Sequence, residues 1–145
     1  MSGKVIGILR KEKPRAEPEL LSAADVSIER GIDGDFRGTH SENKVTLVSI
    51  EDWNAACAEL DRDLPWTTRR ANLCTQGIAL PKHKGAQLRI GVVVLEVIDE
   101  TAPCIVMERA SRGLKAALTP DWRGGISCTV REPGAIALGD AVEVI

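Results

Sequence analysis

Residues 87–98, QLRIGVVVLEVI, constrain the fold more than any other stretch, because β-branched and other apolar side chains occupy both alternating faces around Gly91. A strand apolar on both faces needs cover on both. A glycine at its centre predicts either one bent strand or two successive strands. The pattern returns near the end of the chain, where GAIALGDAVEV from Gly134 is again a glycine turn feeding a β-rich run. Two glycine-bounded strands of this kind fit a small sheet that turns sharp corners. The fold class read from them is mainly β: a closed or partly closed β-barrel with a few short helices.

The remaining segments agree with that class. Residues 4–10 (KVIGILR) and 26–30 (VSIER) are short apolar-rich runs of strand length, separated by the charged stretch KEKPRAEPE, which reads as an exposed loop. Residues 44–49, KVTLVS, read as a β-branched strand. A helix follows it: Ser49 with Asp52 resembles a capping box, and Ile50, Trp53, Cys57 and Leu60 recur at helical spacing. PWTTRR at 65–70 reads as a loop leading into a short strand at 71–75. Residues 102–110 and 113–118 are candidate short helices, and GISCTVR at 125–131 a strand whose alternation buries Ile126, Cys128 and Val130. At 145 residues, one domain spanning 1–145 is the expectation.

Composition removes several functions. The net charge is −2 with both signs interleaved, and aromatic residues make up 3% with no tyrosine, so neither a polyanion field nor a base-stacking platform is present. No window approaches the roughly 20 apolar residues that span a bilayer. A cytoplasmic protein without nucleic-acid or membrane partners is expected. The four cysteines, Cys57, Cys74, Cys104 and Cys128, form no CxxC pair and read as free thiols. Two histidines, His40 and His83, are too few for a multi-histidine metal centre.

Three places carry candidate chemistry. Cys104 follows Thr101-Ala102-Pro103, where threonine can cap a helix and proline is tolerated in the first turn, so the thiol sits near a helix start that favours thiolate. Position alone favours a buried apolar cysteine. Arg69-Arg70-Ala71-Asn72 joins two guanidinium groups and an amide at a loop-to-strand junction, a set suited to a phosphate and a heterocycle edge, or simply a solvated basic loop. Gly31-Ile32-Asp33-Gly34-Asp35 is a turn in which Asp35 either bonds local backbone or lines a site. His40, Lys44 and Arg123 are open between a site and solvent.

Taken in order, GIDGD at 31–35, KVTLVSIEDW at 44–53, RRANL at 69–73 with QGIAL after it, GAQLRIGVVVLEV at 85–97, APC at 102–104, RGGISCTV at 123–130 and GAIALGDAVEV at 134–144 resemble the MOSC family, named for the C-terminal domain of molybdenum cofactor sulfurases. The chain is similar to its small stand-alone bacterial-type members. The resemblance implies a β-barrel, a family cysteine falling on Cys104, and a phosphate-and-pterin pocket for which Arg70 and Asn72 match an Arg-x-Asn pattern. It therefore implies molybdenum cofactor (molybdopterin) binding or sulfur carriage, with Cys104 as molybdenum ligand or persulfide carrier. Arg69, Arg70, Asn72, Asp35, Lys44 and Arg123 are the candidate cofactor-binding set. A second implied activity is molybdenum-dependent reduction of N-hydroxylated bases or amines, and a third reading is a non-catalytic interaction domain. No pyridoxal phosphate site is identified, and neither the desulfurase domain nor the extra barrel and ferredoxin-like partner of larger members is recognised. Sulfur or electrons would come from a cysteine desulfurase or an electron-donor protein.

Overall fold

The computed structural model describes residues 2–39, 42 and 44–145; His40 lies outside them. The strands are β1 (Ser2–Arg10), β2 (Glu19–Leu21), β3 (Ala23–Ser27), β4 (Gly31–Ile32), β5 (Val45–Ser49), β6 (Leu73–Gln76), β7 (Gln87–Ile90), β8 (Val93–Glu100), β9 (Ile126–Glu132), β10 (Gly134–Ala137) and β11 (Ala141–Val144). The helices are α1 (Ile50–Glu59), α2 (Ile105–Ala110) and α3 (Leu114–Leu118). Among the described residues, seven strands in the order β1-β11-β7-β8-β9-β5-β6 close into a barrel, which leaves those strands without a free edge. β2 extends the sheet outside β1, and β10, β3 and β4 form a small second sheet.

The doubly apolar segment resolves into two strands. Gly91, at φ 58°, makes the tight turn that pairs Ile90 with Val93, so β7 and β8 form a hairpin. Among the described residues the one parallel pairing, β5 with β6, is bridged by α1, as a parallel connection requires. β5 is buried at all five positions because it separates two cores. Val45 and Leu47 face the barrel interior with Leu73, Leu88, Leu95 and Ile126; Val48 faces outward and meets Trp53, Met107 and Leu114 beneath the helices. Fully burying each such side chain contributes about 1.5–3 kcal/mol.

Ser49 caps α1 as expected: its Oγ accepts the Asp52 amide at 3.0 Å, and Glu51 and Asp52 complement the positive helix end. Trp53 and Cys57 are buried, and the Trp53 indole donates to the Leu64 carbonyl at 2.8 Å. Cys128 points into the barrel with Ile126 and Val130.

Some boundaries move. The VSIER strand ends at Ser27, whose hydroxyl accepts the Arg30 amide at 3.1 Å and turns the chain. The 65–70 loop holds a 3-10 turn at Trp66–Arg69. The KEKPRAEPE loop is largely exposed, yet Lys11 at its start is buried, and its end, Glu19–Leu21, pairs with β1 as β2.

Candidate functional site

Three loops, after β1, after β4 and before β6, are brought together at one barrel rim. In the turn after β4, Asp35 is buried and its carboxylate accepts the backbone amide of Lys11 at 2.9 Å and that of Arg37 at 3.3 Å. The Arg37 guanidinium meets the same carboxylate at 3.4 Å, lies 5.1 Å from the Phe36 ring centroid, and donates to the backbone carbonyl of Arg70. Asp35 thus acts on the rim through Arg37. Arg70 closes the 3-10 turn in the left-handed conformation, φ 61°, a conformation that is unfavourable for a non-glycine residue, and Arg37 holds its carbonyl in that orientation.

The neighbouring arginines have opposite fates. Arg69 is buried; its Nε donates to the Gly124 carbonyl and its Nη2 to the Thr101 carbonyl, both at 2.7 Å. Gly124 allows that approach, since a Cβ there would sit 2.6 Å from the Thr101 oxygen. Arg70 is exposed, and among the described residues no protein acceptor takes its guanidinium. It lines a cleft of about 580 Å³ with Pro18, Thr67 and Thr68 on one side and Val106, Met107 and Arg109 of α2 on the other. No carboxylate lines this cleft among the described residues.

The charges at the rim act on one another. Burial lowers the Lys11 ammonium from its ordinary value, and the Arg70 and Arg37 charges lower it further. Burial likewise lowers Arg37, with Asp35 opposing and Arg70 adding to the shift, and lowers Arg69, where the charge of a Cys104 thiolate opposes it. Lys11, Arg37 and Arg70 thus act on one another, Arg37 acts on Arg69, and the buried Asp35 carboxylate opposes the shifts of Lys11 and Arg37.

Cys104 is the exposed cysteine of the four, all of which are free. It is the N-cap residue of α2 (φ −126°, ψ −173°), with its carbonyl accepting the Met107 amide at 3.0 Å and its thiol making no capping bond. The cap expected at Thr101 is therefore Cys104 itself; the Thr101 hydroxyl instead shares a 2.8 Å hydrogen bond with Ser127 Oγ. Burial pushes the other two β-strand thiols, Cys74 and Cys128, up to about 12. They are inert by comparison.

Of the sequence-predicted set, Arg70 lines the cleft, Asp35 supports it through Arg37, and Arg69 feels the charge of Cys104, which is not among the residues lining the cleft. Asn72 does not face the cleft. It is fully buried, its Oδ1 accepting the Thr46 amide (3.0 Å) and hydroxyl (3.2 Å) while its Nδ2 donates to the Leu9 carbonyl (3.1 Å), so it laces β1 and β5 together beneath Arg70. Lys44 donates to the Gly38 carbonyl at 2.7 Å and lines a separate cleft with Glu96 and Arg131. Arg123 is held by Glu59 (2.7 Å) and the Ala117 carbonyl (3.0 Å) at the end of α3. Lys11 and Arg37 escape the sequence reading because only the tertiary fold carries them to Arg70. Arg37 had one local signal, its position two residues after Asp35.

No curated protein matches the chain. Solved structures do. The YUAD protein from Bacillus subtilis superposes with a TM-score of 0.81 at 20% identity, covering 99% of this chain and 96% of that one. YiiM from Escherichia coli gives a TM-score of 0.75 at 14% identity over 100% of this chain and 70% of its own, and YiiM from Geobacillus stearothermophilus gives 0.70 at 14% identity over 99% and 73%. These likenesses share the barrel fold. The family model described as the MOSC domain matches residues 33–143, from the Asp33 turn that positions Arg37 through Cys104 to the closing strand β11, and the chain belongs to the MOSC domain family.

Proposed function

We propose that the rim binds a phosphate-bearing molybdenum-pterin cofactor, with Arg70 gripping the phosphate and Cys104 offering its thiol to the metal. The observation that carries this reading is that, among the described residues, no acceptor takes the Arg70 guanidinium and no carboxylate lines its cleft, with Lys11, Arg37 and Arg69 behind it. A guanidinium presents a planar fork matched to phosphate oxygens, and buried cations behind it raise the local potential for an anion. The apolar side chains of Val106, Met107 and Pro18 suit a flat heterocyclic body, and an exposed sulfur suits a soft metal. The donor set fits the group. When bound, the cofactor supplies the metal's redox chemistry; the chain's own part is to orient it, with Asp35 fixing Arg37, Arg37 fixing the Arg70 backbone, and Arg69 tying the turn to the segment before Cys104.

Sulfur carriage is a second reading, favoured by the exposure of Cys104 and the absence of a hydrogen bond that would occupy its thiol as a cap. In that role the Cys104 thiolate attacks the terminal sulfur of a persulfide on a donor protein such as a cysteine desulfurase. A new Cys104 S–S bond forms, the donor's S–S bond breaks, and the donor leaves as a thiolate with the proton retained on the transferred sulfur.

One preparation separates the two. Protein purified from cells that make molybdenum cofactor is assayed for molybdenum, pterin fluorescence and cyanide-labile sulfur, beside Cys104→Ala. Molybdenum and pterin in the parent, with molybdenum lost in the variant, support cofactor binding. Cyanide-labile sulfur without metal, lost in the variant, supports carriage. None of the three in cofactor-replete cells rejects both.

A further inference from the structure

We infer that the segment 120–125 positions the Cys104 thiol: a strained turn at Asp121 and Trp122 sets the Gly124 and Gly125 carbonyls on Arg69 and Thr101, and the short chain from Thr101 carries that placement to Cys104. This rests on the reading of Cys104 as the working thiol and names what holds it in place. Every polar group of Thr101 is engaged: its amide donates to the Gly125 carbonyl at 2.8 Å, its carbonyl accepts from Arg69 Nη2 at 2.7 Å, and its hydroxyl shares a 2.8 Å bond with Ser127 Oγ. Thr101 is therefore a fixed point. Beyond it the chain has little freedom, because Pro103 locks its own φ and restricts Ala102 before it, and Cys104 then opens α2, which is anchored by the buried Met107. Displacing Thr101 displaces the thiol.

The segment reaches Thr101 through an unfavourable backbone. Asp121 (φ 52°, ψ 34°) and Trp122 (φ 53°) are consecutive non-glycine residues in the left-handed region, a conformation that persists only where the surroundings enforce it. Asp121 does not enforce it. Its side chain is exposed and meets no donor among the described residues. The constraint comes from the neighbours: Trp122 packs half-buried against the barrel core, the Arg123 amide donates to the Pro120 carbonyl at 3.1 Å, and the Gly125 amide donates to the Trp122 carbonyl at 3.0 Å. Arg123, held by Glu59 and the Ala117 carbonyl, ties the same segment to α1 and α3. The closest fit is at Gly124, where a Cβ would lie 2.6 Å from the Thr101 carbonyl oxygen and 3.4 Å from Pro103 Cδ. A side chain there would force the two segments apart.

The test follows amide hydrogen exchange at Thr101 against that at Val97, whose amide bonds the Ala86 carbonyl in the barrel wall, together with the amide resonances of Cys104 and Ile105 in the full chain. The parent is compared with Gly124→Ala, Asp121→Val and Asp121→Gly. Gly124→Ala pushes the Thr101 carbonyl away and Asp121→Val places a β-branched residue where the left-handed region tolerates it least, so each should speed Thr101 exchange relative to Val97 about tenfold or more and shift Cys104 and Ile105. Asp121→Gly should match or exceed the parent's protection, because glycine adopts that conformation freely. In protein from cells that make molybdenum cofactor, the first two variants should also carry less molybdenum per pterin, since Arg70 keeps its grip while the thiol moves. If Thr101 and Val97 speed up in parallel, or if Cys104 keeps its resonance, the segment does not position the thiol. Equal effects of Asp121→Val and Asp121→Gly overturn the role of the strained turn. If Thr101 loosens and Cys104 shifts with molybdenum per pterin unchanged, or with neither bound in the parent, the segment positions Cys104 and it is the reading of Cys104 as a metal ligand that fails.

Discussion

The barrel wall at β8 and β9 and the rim at Arg70 treat charge in opposite ways. On the wall, Arg131 meets Glu96 at 2.9 Å, Gln87 donates to the same carboxylate, and Cys128 beneath them is sealed into the core. Glu96, Arg131 and Gln87 thus partner one another within the protein. At the rim, the buried Asp35 carboxylate faces Lys11 and Arg37, the Arg70 guanidinium has no protein acceptor among the described residues, and Cys104, whose charge acts on Arg69, is exposed. A wall so paired holds a shape; the Arg70 guanidinium at the rim is what the proposed anionic ligand would pair with.

The largest test of this contrast falls at the junction between the two. Asn72→Ala leaves the Thr46 amide and the Leu9 carbonyl buried without partners, and urea unfolding should show a loss of about 2–4 kcal/mol. A loss below about 0.5 kcal/mol would mean that Asn72 is not the brace between strands. The two adjacent arginines come next. Arg69→Ala orphans the Gly124 and Thr101 carbonyls and should cost about 1–3 kcal/mol, whereas Arg70→Ala should stay within about 0.5 kcal/mol while weakening anion binding. Equal costs at both positions would erase the distinction on which the site rests.

The thiols give a pH test. Cys74 and Cys128 ionise near 9 in the unfolded chain and near 12 in the folded one, so the unfolded state releases its protons first as pH rises. Their contribution to stability is whole below pH 9 and declines from there through pH 12, which urea midpoints across that window would register. In native protein at pH 8, a neutral alkylating reagent should modify Cys104 well ahead of Cys57, Cys74 and Cys128, with all four reacting in denaturant. Rapid native labelling of Cys128 would contradict its sealed position. The smallest effect belongs to the wall's surface pair: Arg131→Ala should leave the urea midpoint essentially unmoved, because both partners are solvated.

Much of the wall was legible in the sequence and much of the rim was not. The glycine-centred run at residues 87–98 predicted doubly covered strands because period-two alternation is a local property, and Ser49 announced α1 because a cap acts within one turn. The sequence singles out Cys104, Arg69 and Arg70 as candidates, the first with help from family resemblance. The direction of each side chain was not legible: RRAN gives no sign that Arg69 and Asn72 turn inward to bond carbonyls and amides 26 to 63 residues away while Arg70 turns out. Lys11 and Arg37 were missed for the same reason. Their chemistry depends on three loops meeting. β2 was missed because three residues, Glu19–Leu21, hold no periodicity to read.

The central claim, that the rim is the binding site for a phosphate-bearing molybdenum-pterin, is tested most directly by the pterin and molybdenum content of Arg70→Gln against the parent. Both proteins are isolated from the same cofactor-producing cells and matched for urea midpoint. The account predicts pterin and molybdenum in the parent and about a tenfold or greater loss of both in the variant. Equal content in the two proteins would contradict it.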